Sequence, residues 1–224
     1  MNKFLFPVLA VILGVAIAII SKNKKTWNTK LLLSFSGAFL LALTLFELLP
    51  EVYNHLDTKR TGLFIMGGIL LQIVLELFSK GAEHGHVHIR KHETAFPWLL
   101  FISLCIHSFL EGFPIHEHND MVYGVLIHKI PIATLISMFL FQSSFSKLQI
   151  IAFLVVFTAM TPLGTLISNT TNISESLSHS INAIVIGIFF HISTTILFES
   201  GEGHKFSLGK FIAIILGVGI AYLI

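Results

Sequence analysis

Apolar residues in this chain come in long unbroken runs separated by short polar stretches. They show neither the spacing of a half-buried surface helix nor the alternation of a half-buried strand. Eight runs stand out: Phe4–Ile20, Leu31–Pro50, Gly62–Phe78, Phe96–Ile115, Met121–Phe141, Leu148–Ser168, Ile181–Phe198 and Phe206–Ile224. A bilayer core takes roughly 20 apolar helical residues to cross, so each run predicts a transmembrane helix. The expected fold is an all-α integral membrane protein, an eight-transmembrane-helix bundle. Little chain remains between the runs, so residues 1–224 are expected to form a single transmembrane domain, with a His-containing loop at 79–95 inside it. Alternating segments of about 10 residues, the mark of a membrane β-barrel, are not seen.

Composition agrees with the pattern. Hydrophobic residues make up 54% of the chain and charged residues 12%, and the mean hydropathy is +0.84. A soluble domain of this size has no core large enough to hide so much apolar surface. Lys3 before the first run and the small residues Ala16 and Ala18 within it resemble a cleavable leader, but Lys22, Lys24 and Lys25 just beyond resist translocation, so an anchor is expected. Placing the N-terminus outside puts Lys22, Lys24, Lys25, Lys30, Lys80, Arg90, Lys91, Lys147, Lys205 and Lys210 at cytoplasmic ends, and only Lys3, Lys59 and Arg60 outside. The expected location is the plasma membrane, or the inner membrane of a bacterium, multi-pass with both termini outside. Cys105, the single cysteine, offers no disulfide.

The candidate chemistry lies in the residues that lipid disfavours. An ionisable group at bilayer depth costs at least about 2 kcal/mol and usually faces the bundle interior. That selects Glu47, Glu76, His107, Glu111, His128, Lys129 and His191. His107 and Glu111 are one helical turn apart on one face. With antiparallel helices rising about 1.5 Å per residue, Glu111, His128 and His107 fall roughly 7, 10 and 14 Å below the outer interface, in one layer. Pro131 and Pro114 cannot donate to the carbonyls of Ile127 and Leu110, so two carbonyls are expected to be freed nearby. Mixed imidazole and carboxylate ligands favour Zn2+, and after it Fe2+, Mn2+, Co2+ or Cd2+, over calcium or magnesium. Glu51, His116, Glu117, His118 and Asp120, at external helix ends, are expected to form an outer entrance.

These residues resemble the ZIP (Zrt/Irt-like protein) family of metal transporters. His107-Ser108-Phe109-Leu110-Glu111-Gly112 is similar to the fourth-helix HSxxEG signature, and His128-Lys129-Ile130-Pro131 to the start of the fifth-helix motif. Glu47-Leu48-Leu49-Pro50-Glu51 resembles the end of the second-helix pattern, and Thr161-Pro162-Leu163-Gly164 and Gly187 to His191 resemble weaker signatures. The resemblance implies eight helices, both termini outside, metal movement into the cytoplasm, and inverted repeats of helices 1–3 and 6–8 around helices 4 and 5. Gly37, Phe39 and Thr44 share the offsets of Gly187, Phe189 and Thr194, a trace of such a repeat. It also implies metal ligation by His107, Ser108, Glu111 and His128, with Glu47 as a further ligand; His191 stands where the family more often has an aromatic residue, so its expected ligand role rests on its depth alone. His84, His86, His88 and His92 would capture metal in the cytoplasmic loop. Some family members carry a second acidic pair for a binuclear site, where this chain has Lys129 and Ile132. Lys129 is therefore expected to compensate charge beside a mainly mononuclear site.

The expected function is transport of divalent metal, zinc first, by alternating access rather than enzymatic catalysis. The rival of another class is an intramembrane zinc-dependent hydrolase with Glu111 as general base, although no HExxH motif is present. An exporter of the cation-diffusion type would need six helices and a cytoplasmic domain. A purely structural subunit would leave the histidines unexplained. The candidate partners are divalent metal ions, the lipid bilayer and a second copy in a homodimer; nothing calls for nucleic acid.

Overall fold

A computed structural model describes residues 2–21, 29–79, 96–116, 120–171, 173–199 and 207–224. Among these, the apolar runs form eight helices: α1 (Asn2–Ser21), α2 (Thr29–His55), α3 (Thr58–Ser79), α4 (Trp98–Leu110), α5 (Met121–Gln142), α6 (Lys147–Thr170), α7 (Glu175–Glu199) and α8 (Leu208–Leu223). Six are long and apolar enough to cross a membrane. α4 and α8 are apolar but have 13 and 16 residues, short of the roughly 20 that a full crossing takes.

Burial runs opposite to that of a soluble protein. Leu63, Leu77, Leu148 and Phe198 are largely exposed, whereas Ser34, Ser36, Thr44, Gln72, His107, Glu111, His128 and Lys129 are buried. Such a surface fits a hydrocarbon solvent, with polar groups turned inward where they find partners.

The helices pack in pairs through small residues. α1 lies along α5, α3 along α7, α2 along α8 and α4 along α6. A Cβ on Gly14 would stand 2.6 Å from the Cβ of Ala133, and one on Gly187 would stand 2.0 Å from the carbonyl oxygen of Ile65. The α4–α6 crossing is as close, because a Cβ on Gly164 would meet the Phe109 carbonyl at 2.0 Å. Where lipid tails are as apolar as leucine, such close backbone approach supplies the packing that holds helices together.

Three element ends differ from the sequence expectation by five residues or more. α2 continues through Pro50 to His55, because the helix opens into a π turn over Thr44–Leu48, in which the Leu49 N–H reaches the Thr44 carbonyl. A widened turn ahead of a proline relieves the clash between its ring and the preceding turn. α4 stops at Leu110 instead of running to Ile115, and residues 111–114 form turns. The restriction that Pro114 places on Phe113 accounts for the stop, and Gly112 lets α6 come close, since a Cβ there would stand 2.2 Å from the Thr161 carbonyl oxygen. α7 begins at Glu175, six residues before the apolar run, since a polar first turn extends it beyond the hydrophobic segment.

Candidate metal site

The centre of the bundle holds a polar cluster built from α4, α5 and α6. His107 lies in the last turn of α4 and Glu111 caps that helix, its N–H donating to the His107 carbonyl at 3.0 Å. Both side chains are buried, with His107 Nε2 3.5 Å from Glu111 Oε2. Two donors of one tetrahedral zinc, each about 2.0–2.1 Å from the metal, stand about 3.4 Å apart. The pair is therefore spaced for a shared ion. His128, from α5, brings its ring edge-on to that of His107, with centroids 6.3 Å apart.

The other Glu111 oxygen, Oε1, is engaged. It accepts from the ammonium of Lys129 and from the Thr161 hydroxyl at 2.7 Å. Lys129 Nζ also lies 3.1 Å from Ser108 Oγ and 2.7 Å from Thr161 Oγ1, and 4.6 Å from the centre of the Phe157 ring. The α5 lysine thus sits among a carboxylate, two hydroxyls and an aromatic face, the satisfied setting that a buried charge needs. Ser108 touches the lysine here.

The turn after α4 is held by α6. Thr165 Oγ1 donates to the Gly112 carbonyl at 2.9 Å, Ser168 Oγ to that of Phe113 at 2.9 Å, and Asn169 Nδ2 to that of Ile115 at 3.1 Å. The Leu110 carbonyl, expected to be freed by Pro114, accepts instead from the Phe113 N–H at 3.0 Å, because the chain tightens into a turn. Thr165, Ser168 and Asn169 were missed from sequence, and Thr161 was noted there only as part of a motif, without a role. Their signal is a polar stripe at offsets of four, seven and eight along an apolar helix.

The remaining candidates lie elsewhere. Glu47, presented by the π turn, accepts the Asp120 N–H at 3.0 Å, which brings the ends of α2 and α5 together. Glu51 is one turn further along α2, with Oε1 4.0 Å from His179 Nδ1. His116 follows the turn after α4 and is partly exposed. His191 pairs with Glu76 of α3, Nε2 to Oε2 at 2.6 Å, and the pair is partly buried. Glu117, His118, His84, His86, His88 and His92 lie outside the described residues. Among the described residues, the one group of three ligating side chains with donor atoms all within 4.8 Å of one another is His55, Glu175 and His179. None of these was selected from sequence: α2 was expected to end at Pro50 and α7 to begin at Ile181.

Comparison with known proteins adds a family. The family model described as ZIP Zinc transporter matches residues 79–224. Zinc transporter ZIP1 of Danio rerio is 32% identical over 88 residues, covering 37% of this chain and 29% of that protein. Zinc transporter ZIP1 of Takifugu rubripes is 31% identical over 88 residues with the same coverage. The similarity thus spans under a third of the length of these curated relatives.

Proposed function

Since the chain belongs to the ZIP zinc transporter family, we propose that this multi-pass membrane protein moves divalent transition metal, zinc first, across the membrane into the cytoplasm. The route is alternating access through a mainly mononuclear site of His107, Glu111 and His128. The observation that carries this reading is the buried His107–Glu111 pair, 3.5 Å apart and spaced for one ion. Lys129 compensates the charge of Glu111 and stands where a second ion would otherwise be needed, supported by its contact with that carboxylate. Ser108 acts through the lysine.

Glu47 and His191 serve the two ends of the route. Glu47 lies at the end shared with Asp120, while His191 is 16 positions along α7 from Glu175, about 24 Å of helix at 1.5 Å per residue. The Glu47 end is outside, with Glu51, His116, Glu117, His118 and Asp120 gathering metal, and the loop with His84, His86, His88 and His92 receives it inside. Both termini are outside, at the plasma membrane or a bacterial inner membrane. Fe2+, Mn2+, Co2+ and Cd2+ are the competing cargoes.

Inverted repeats underlie the bundle in this reading. Exchanging α1 with α6, α2 with α7, α3 with α8 and α4 with α5 converts the α1–α5 pair into α6–α4 and the α3–α7 pair into α8–α2. All four pairings occur.

Radiotracer zinc uptake into proteoliposomes, with competing metals, tests the proposal. Alanine at His107, Glu111 or His128 should abolish uptake. Normal rates in all three correctly inserted variants would overturn the site.

A further inference from the structure

The His55, Glu175 and His179 group shares no residue with the buried cluster and joins different helices. His55 closes α2, Glu175 opens α7, and His179 follows one turn later on the face of Glu175. The two imidazoles stack face to face, with centroids 4.1 Å apart and planes inclined by 13°. His55 and Glu175 are exposed, whereas His179 is only 8% exposed and its Nδ1 is buried without a hydrogen-bond partner.

The hydrogen bonding of His55 fixes which nitrogen is available. Its Nδ1 lies 2.8 Å from the Glu51 carbonyl oxygen. A carbonyl only accepts, so Nδ1 carries the proton and Nε2 of the neutral ring keeps its lone pair. That is the arrangement by which a backbone carbonyl orients a metal-ligating histidine. Glu51 contributes twice, since its carboxylate oxygen stands 4.0 Å from His179 Nδ1.

We propose that His55, Glu175 and His179, with the Glu51 carboxylate as fourth donor, form a second transition-metal site bridging the ends of α2 and α7. Two imidazoles and two carboxylates suit a zinc-class ion, whereas calcium and magnesium prefer all-oxygen shells. Exposed His55 and Glu175 swing to close on the ion around the anchored His179. Binding here depends only on these local donors. That the ion then enters the transport route rests on the proposed function above.

The test titrates Co2+, followed by its visible absorption, and then competing Zn2+ into the purified full chain, with His84, His86, His88 and His92 replaced by alanine. His55→Ala and Glu175→Gln, both at exposed positions, should each remove one equivalent or weaken it by at least about tenfold, the loss that removal of even a ligand's hydrogen-bond partner can cause. His107→Ala should leave that equivalent in place. Unchanged binding in both surface variants, or the same equivalent lost in His107→Ala, would overturn the proposal. Because the readout is binding, a chain that moved no metal would still pass, and failure of the transport reading would be seen separately.

Discussion

Lys129 is the residue on which the character of the buried site turns. Its ammonium meets Glu111, Ser108 and Thr161, so removing it leaves the Glu111 carboxylate with the Thr161 hydroxyl and the His107 imidazole but no fixed cation. Lys129→Met should cost about 3–5 kcal/mol of stability without metal, the typical loss on breaking a buried pair. Zinc should restore part of that loss, and thermal melting with and without metal measures both effects. In a background lacking His55, Glu175 and the loop histidines, the membrane region with Lys129 intact should bind one zinc; two would sink the compensation argument. His107, Glu111, His128 and Lys129 were legible in the sequence because ionisable side chains in apolar runs are conspicuous. The role of Thr161, quoted only within a motif, was not, since a threonine in a membrane helix ordinarily bonds its own backbone, as Thr158 does to the Leu154 carbonyl at 2.6 Å. His55, Glu175 and His179 were hidden for another reason: they sit on polar extensions that a count of apolar residues leaves out.

At the scale of elements, the eight helices of the described residues and their order were legible from the apolar runs, but their ends were not. Pro50 reads as a stop, yet the π turn over Thr44–Leu48 carries the helix past it. Gly112 and Pro114 sit in what reads as one helix, yet α4 ends before both, and hydroxyl and amide groups of α6 satisfy the released carbonyls. Partner choice was equally hidden, since it depends on which glycine meets which backbone. Gly187 illustrates this: an added Cβ would stand 2.0 Å from the Ile65 oxygen and 2.8 Å from the Ile69 nitrogen. Gly187→Val should therefore part α3 from α7 and destabilise the bundle by about 3 kcal/mol or more, as severe overpacking does. Gly67→Ala, where nothing lies within 4 Å of the new Cβ, should melt within a degree or two of the parent, about the effect of a neutral surface change. Equal melting temperatures for the two variants would contradict the crossing.

Across the whole molecule, acidic groups gather at one end of the bundle: Glu47 with Asp120, and Glu51 beside His179. If this end collects metal, neutralising Glu51 and Asp120 together should weaken uptake chiefly at low metal and low salt, because screening removes such attraction over about 10 Å at 0.1 M. A fall in maximal rate alone would count against it. At the other end His191 is engaged with Glu76, so the polar groups are staged along the bundle rather than confined to one layer. The Lys129–Glu111 contact then has an electrical consequence. In the proposed alternating-access cycle, an empty site with one ammonium and one carboxylate is neutral, so its return across the membrane would be blind to the transmembrane voltage. Loaded with a divalent ion and neutral histidines, the same site carries two charges, and each is worth about 2.3 kcal/mol per 100 mV if it traverses the full field. Zinc entry should be electrogenic, with all its voltage sensitivity in the loaded step, and currents from voltage-clamped proteoliposomes measure this directly. In Lys129→Met the empty site would carry a single negative charge, and the voltage dependence should divide between the two halves of the cycle.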